Sequence, residues 1–151
     1  MDTPPSSQVL FLCTGNYYRS RTAEELFNFY LPEKGLAWTA FSLGLKAEFY
    51  LDIHMDGLSP YAKAYLDAEK VPIQAPKRLP KDIQEPDFHT YDLIICMDED
   101  EHRPMMQEKF PQYENQVTYW RFPDLHLASS QTVLPLLHEK VLELMENLKE
   151  K

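Results

Sequence analysis

Cysteine is scarce in this chain: its 151 residues hold two, Cys13 and Cys96. Two are too few for a disulfide scaffold or a cysteine-built zinc site. The histidines, His54, His89, His102, His126 and His138, show no HxH or HxxxH spacing. Neither a metal nor a cofactor is therefore expected. Basic charge is also in deficit, with 15 Lys and Arg against 24 Asp and Glu and a formal charge of −9. That argues against nucleic acid or an acidic membrane as a partner, since both need a basic face. Any anion site has to be locally positive against an unfavourable global field. No run of about 18 apolar residues is present to span a bilayer. Met1 to Ser7 lacks the basic stretch and apolar core of a signal peptide, so a cytoplasmic location and a flexible segment 1–7 are expected. Repeats, low-complexity tracts and long linkers are absent as well.

What remains is the composition of an ordinary folded domain, 44% hydrophobic and 26% charged, in a chain of single-domain length. Gln8 to Cys13 (QVLFLC) is a short apolar run that reads as a buried strand. Ala23, Leu26, Phe27 and Tyr30 then recur at helical spacing, with Pro32 and Gly35 expected to end the helix. Trp38 to Ser42 reads as a second strand, and Ser59-Pro60 opens a helix to about Lys70. Residues 71–86 carry four prolines and read as an extended connection. Tyr91 to Met97 and Val117 to Trp120 complete the strands, with a helix from Glu101 to Lys109 between them. Val133, Leu137, Val141, Leu144 and Leu148 mark a C-terminal helix from Thr132, which would put Pro135 in its first turn. Strands alternating with helices imply an α/β fold: a four-stranded, twisted parallel sheet with helices on both faces. Ligands of such sheets bind beyond the carboxyl ends of the strands. Cys13, Met97-Asp98 and Asp124 should converge there.

Between the first strand and first helix lies Cys13-Thr14-Gly15-Asn16-Tyr17-Tyr18-Arg19-Ser20. A turn of this length can aim successive backbone N–H groups at one centre, with a helix dipole behind it. Gly15 is expected to supply a backbone conformation closed to most residues. Arg19 offers a planar fork matched to two phosphate oxygens, and the same field favours a thiolate at Cys13. The bland alternative is a buried strand-end cysteine and an ordinary helix arginine. The strand before, the Gly-Asn turn, Ser20 and the helix after weigh against it.

VLFLCTGNYYRSRTAE resembles the signature of the low-molecular-weight protein tyrosine phosphatases, VLFVCxGNxCRSPxAE. Ser42-Leu43-Gly44, YDLIICMDE (Tyr91 to Glu99) and WRFPD (Trp120 to Asp124) resemble later segments of that family by order and spacing. The resemblance implies one low-molecular-weight phosphatase-like domain over 1–151. It implies hydrolysis of phosphate monoesters, foremost protein phosphotyrosine, through a cysteinyl-phosphate intermediate. Its substrate would be a phosphorylated protein or a small aryl phosphate; oligomeric state has no signature here. Cys13 would be the nucleophile, Arg19 would hold the phosphoryl oxygens, and Ser20 would donate a hydrogen bond to sulfur. Asn16 would shape the loop, Thr14 to Ser20 would bind phosphate, and Asp124 would be the general acid, as a poor leaving oxygen requires.

The chain departs from the family pattern at several positions. Asp124-Leu125-His126 replaces Asp-Pro-Tyr, putting His126 where a tyrosine would wall the pocket. Tyr18 replaces a second loop cysteine, Arg21 replaces a proline, and Tyr17 stands where a small threonine would favour phosphoarginine. Tyr17, Phe49 and Tyr50 are expected to form an aromatic rim, against the alternative that Phe49 and Tyr50 merely pack a loop. Cys96, inside an apolar strand, is expected to be inert. The acidic run Asp98 to Glu101 reads as a solvated helix start favoured by the dipole. Two competing functions stay open: a phosphate- or phosphopeptide-binding module with impaired catalysis, and a thiol-coupled arsenate reductase, which would need further reactive cysteines.

Overall fold

A computed structural model describes residues 7–149. The expected flexible segment therefore lies outside the described residues except for Ser7, which pairs with Trp38 as the first residue of a strand. The elements run β1 (Ser7–Cys13), α1 (Arg19–Lys34), β2 (Trp38–Gly44), α2 (Pro60–Ala68), α3 (Asp87–Thr90), β3 (Leu93–Cys96), α4 (Glu99–Lys109), β4 (Thr118–Tyr119) and α5 (Ser130–Lys149). The strands form one parallel sheet in the order β2-β1-β3-β4, the α/β architecture expected.

Both faces of β1 are buried, which is why its sequence is a continuous apolar run rather than an alternating one. Val9, Phe11 and Cys13 face a core built with α1, α2 and α5. Leu10 and Leu12 face a second core with Leu43, Ile94, Cys96 and Met106. Phe11 anchors the first core, with ring centroids 6.1 Å from Phe27 and 5.8 Å from Trp120.

The helix boundaries correct the sequence reading at two prolines, Pro32 and Pro135. Pro32 does not end α1; the helix runs through it and closes on left-handed Gly35, whose N–H reaches Leu31 O at 2.9 Å. Pro135 lies beyond the first turn of α5, which begins at Ser130. Pro104 lies inside α4. Each forfeits one N–H, a local cost that packing of the rest of the helix outweighs. α4 also starts earlier than expected, because Asp98 caps it by accepting from the Glu101 N–H at 3.2 Å.

Register brings the site together. Cys13 lies opposite Gly44, and Leu12 opposite Cys96, so three strands end at one edge. The 71–86 connection is largely extended and closes back on that edge, with Gly44 N bonded to Lys81 O and Ile83 N to Gly44 O. Beyond β3 and β4 the chain stays in step, with Phe122 N on Met97 O at 2.8 Å, and this delivers Asp124 to the same end.

Candidate active site

The loop leaving β1 is held from outside by its carbonyls. Cys13 O accepts from Leu45 N, Thr14 O from Lys46 N and Tyr17 O from Ser59 N, each at 2.9 to 3.0 Å. Tyr18 O accepts from both the N–H and the hydroxyl of Thr22. Among the described residues, the backbone N–H groups of residues 15–18 bond to no other protein group. Its carbonyls are tied outward and its amides left unpaired, with α1 directly behind, an arrangement suited to an anion.

Asn16, not Gly15, takes the left-handed conformation, with φ of 50°. Asparagine tolerates this region because its short polar side chain bonds locally. Here its amide donates to Ser42 Oγ (2.9 Å) and Ser20 Oγ (3.2 Å), and its carbonyl accepts from Lys81 N (3.2 Å). The need for glycine at 15 is spatial: a Cβ there would lie 3.1 Å from the His54 ring. Asn16 and Ser20 are buried, with the Asn16 amide bonded to the Ser20 hydroxyl. Ser20 Oγ lies 3.0 Å from Cys13 Sγ, and either atom can be the donor.

The foundation beneath Asn16 is charged. Ser42 Oγ donates to Glu24 at 2.6 Å, and Glu24 also takes a two-pronged ion pair from Arg78. Arg21, where the resembling family has proline, is fully buried. It donates to Gly57 O (3.1 Å), Ala75 O (2.7 Å) and Glu25 (3.1 Å), tying α1 to the segments before and after α2.

Cys13, Thr14, Gly15, Tyr17, Tyr18 and Arg19 line a cleft of about 510 Å³ with Tyr50, His54, Glu101, Asp124 and His126. Phe49 is not among its walls; the turn that brings Tyr50 inward leaves Phe49 80% exposed, edge-on to Tyr50. Tyr17 stacks on His54 with ring centroids 3.8 Å apart and planes 9° from parallel. The Tyr17 hydroxyl donates to both oxygens of Asp56 at 2.7 and 2.8 Å. Burial first, then Asp56, pushes that phenol up to about 12. Burial lowers the His54 imidazole below its ordinary value, so this wall is a flat neutral pair at neutral pH.

Asp124 lies over the arginine, with Oδ2 3.5 Å from Arg19 Nη2 and its side chain 34% exposed. Its backbone carbonyl accepts from Leu127 and Ala128, a turn that shapes the loop without the family's proline. Asp98 does not line the cleft; it is the cap of α4. Burial pushes the Cys96 thiol up to about 12, which leaves it a core residue without thiolate character near neutral pH.

The acidic run differs most from expectation. Asp100 is exposed, but Glu101 turns inward and forms a two-pronged ion pair with Arg19. Burial alone would raise its carboxyl; hydrogen bonds from His102 and Arg19 and the Arg19 charge hold it well below the usual carboxylate range. His54 and Glu101 were both missed from sequence. His54 carried no local signal. For Glu101 the signal was Asp98-x-x-Glu101, a helix-start spacing that fixes which residue stands third in the first turn.

The profile of the low molecular weight phosphotyrosine protein phosphatases matches residues 8–151. The chain belongs to that family. It is accordingly a cysteine-based phosphatase by family and fold. No curated protein matches it by sequence. Among solved structures, the low molecular weight protein tyrosine phosphatase from T. tengcongensis is 26% identical with a TM-score of 0.72, covering 96% of this chain and 99% of that one. Wzb from Vibrio vulnificus, in complex with benzylphosphonate, is 19% identical with a TM-score of 0.77, covering 94% and 99%. The YwlE arginine phosphatase is 20% identical with a TM-score of 0.74, covering 95% and 97%. This fold is therefore shared by proteins described as acting on different phosphorylated residues.

Proposed function

We propose that this phosphatase hydrolyses aryl phosphate monoesters, with phosphotyrosine in proteins as its substrate class, through a cysteinyl-phosphate. The observation that carries the reading is the polarity of the loop, carbonyls tied outward and amides free, with Cys13 and Asp124 lining one cleft. In the first step Cys13 Sγ attacks phosphorus and the bond to the aryl oxygen breaks. Asp124 gives its proton to the departing oxygen. Amides of the loop and Arg19 hold the phosphoryl oxygens as charge redistributes. In the second step Asp124 takes a proton from water, the water oxygen bonds to phosphorus, and the S–P bond breaks. Free phosphate leaves and the thiolate returns. Ser20, donating to sulfur, stabilises the thiolate as leaving group.

The choice of an aryl ester rests on the wall. Tyr17 and His54 present a flat, neutral surface, and Tyr50 stands close by, with ring centroids 6.2 Å from His54. A phenyl ring packs well against such a surface. A cysteine nucleophile without a nearby partner cysteine suits a reducing compartment, and on that ground we assign the protein to the cytoplasm. The test is turnover of p-nitrophenyl phosphate in excess EDTA, followed by phosphotyrosyl against phosphoarginyl peptides. The reading expects turnover without metal, inhibition by orthovanadate, loss on Cys13→Ser and a higher kcat/KM for phosphotyrosine. Activity that returns only with zinc or magnesium, or preference for phosphoarginine, would reject it.

A further inference from the structure

The Arg19 guanidinium carries five N–H groups in one plane, and their partners divide unevenly. Nη1 donates to Glu101 Oε1 (3.0 Å) and to Phe122 O (2.9 Å), which uses both of its protons. Nη2 donates to Glu101 Oε2 at 2.7 Å. Nε, although buried, has no protein partner. The donors without a hydrogen bond are thus Nε–H and the second proton of Nη2, which share one edge of the group; the Asp124 carboxylate stands 3.5 Å from Nη2 as an ion pair. An unpaired buried donor is costly, and in native structures such a group calls for an explanation.

The carboxylate that takes the other end is itself held in place. At the start of α4, Asp98 and Glu101 have the spacing at which a glutamate bonds back to the capping residue's N–H. Here that N–H goes instead to His102 Nδ1, at 3.0 Å. Accepting at Nδ1 leaves the His102 proton on Nε2, 3.1 Å from Glu101 Oε2. Thr14 Oγ1 also donates to Oε2. Released from the cap and gripped by His102, Thr14 and Arg19, Glu101 is locked facing the arginine.

We propose that Glu101 is the positioning residue of this active site: it holds the end of the Arg19 guanidinium so that the Nε–Nη2 edge meets two oxygens of the phosphoryl group. The role rests on the phosphatase reading above, but it concerns the grip on phosphate and not the leaving group. Glu101 touches no reacting atom; it acts through Arg19.

The test uses the full chain, with inorganic phosphate as competitive ligand and a series of aryl phosphates as substrates. Glu101→Gln keeps the shape but replaces one acceptor oxygen by a donor facing the guanidinium. Weakening a charge-assisted contact of this kind should raise the phosphate inhibition constant about 10- to 100-fold. kcat/KM should fall by a similar factor for every aryl phosphate, whatever the pKa of its leaving group. Glu101→Asp retains the charge and should recover part of the loss; it also carries the test if the glutamine variant does not fold. Phosphate binding unchanged or tighter in both variants would overturn the proposal, showing a carboxylate that competes with phosphate for Arg19. Slowing that grows with leaving-group pKa would overturn it too, because the damage would then lie at Asp124. A wild type that binds phosphate but turns over no aryl ester would reject the phosphatase reading alone, and direct phosphate binding would still report on Glu101.

Discussion

Two of the residues in the cleft differ in how their roles can be separated by experiment. Asp124 is needed most when the departing oxygen is strongly basic. Asp124→Asn should therefore slow phenyl phosphate by about 10²- to 10⁴-fold and p-nitrophenyl phosphate far less. A steeper dependence of the chemical step on leaving-group pKa is the expected signature; equal slowing across the series would remove Asp124 from the role. The two cysteines divide differently. Cys96 is fully buried with its thiol pushed up to about 12, so it should resist oxidation and alkylation near neutral pH. Cys13 has Tyr18 where a neighbouring cysteine would trap its sulfenic acid. Mild peroxide followed by mass spectrometry should find sulfenic or sulfinic acid on Cys13. A Cys13–Cys96 disulfide as the main product would contradict both assignments.

At the level of elements, the site depends on contacts that no single helix or strand contains. α1 carries Arg19 into the cleft, and its Arg21, Glu24 and Glu25 bind the segments that surround the loop. Arg21 is buried with its carboxylate and carbonyl partners, so removing it leaves Glu25 without its ion-pair partner. Arg21→Ala should cost about 3–5 kcal/mol, the range for breaking a buried ion pair from one side. Urea denaturation measures this, and a loss below about 1 kcal/mol would show that the segments are held by other means. α4 makes the reverse contribution: its cap sets where Glu101 points, so the start of one helix orients the arginine at the start of another.

Across the molecule, α1, α2 and α5 meet at His138, where Tyr30 Oη lies 2.9 Å from Nε2 and Tyr65 Oη 2.8 Å from Nδ1. Burial lowers this histidine below its ordinary value even though Glu69 and Glu139 pull it upward. His54 is lowered for the same first cause. A depressed histidine means that, as pH falls through about 6.5, the unfolded chain binds the proton before the folded one does. Stability should therefore be full above that value and decline below it, until the folded histidines titrate in turn. Glu101 works in the same direction at lower pH, its contribution declining from the ordinary glutamate value of about 4.3 down towards its own depressed one. Thermal unfolding from pH 7.5 to 5 should show the decline, and His138→Gln should flatten it. An unchanged slope in that variant would place the acid sensitivity elsewhere.

The apolar run of β1, the loop residues and the helical spacing behind them depend on neighbours along the chain, so the sequence by itself determined the strand–loop–helix unit. Alternation of strands and helices likewise determined a parallel sheet, because a parallel crossover admits few alternatives. The prolines at 32, 104 and 135 misled or were silent because tertiary packing can override a lost hydrogen bond. Asn16 took the conformation assigned to Gly15 because Ser42 and Lys81, far along the chain, were there to bind it. His54 entered the cleft through a stack with Tyr17, and Glu101 left the solvent because His102 took over the capping N–H. The tertiary structure decided these choices, because each also needs a distant partner for a buried charge or polar atom: for Glu101 the cap spacing and His102 are local, but Arg19 and Thr14 lie more than 80 residues away.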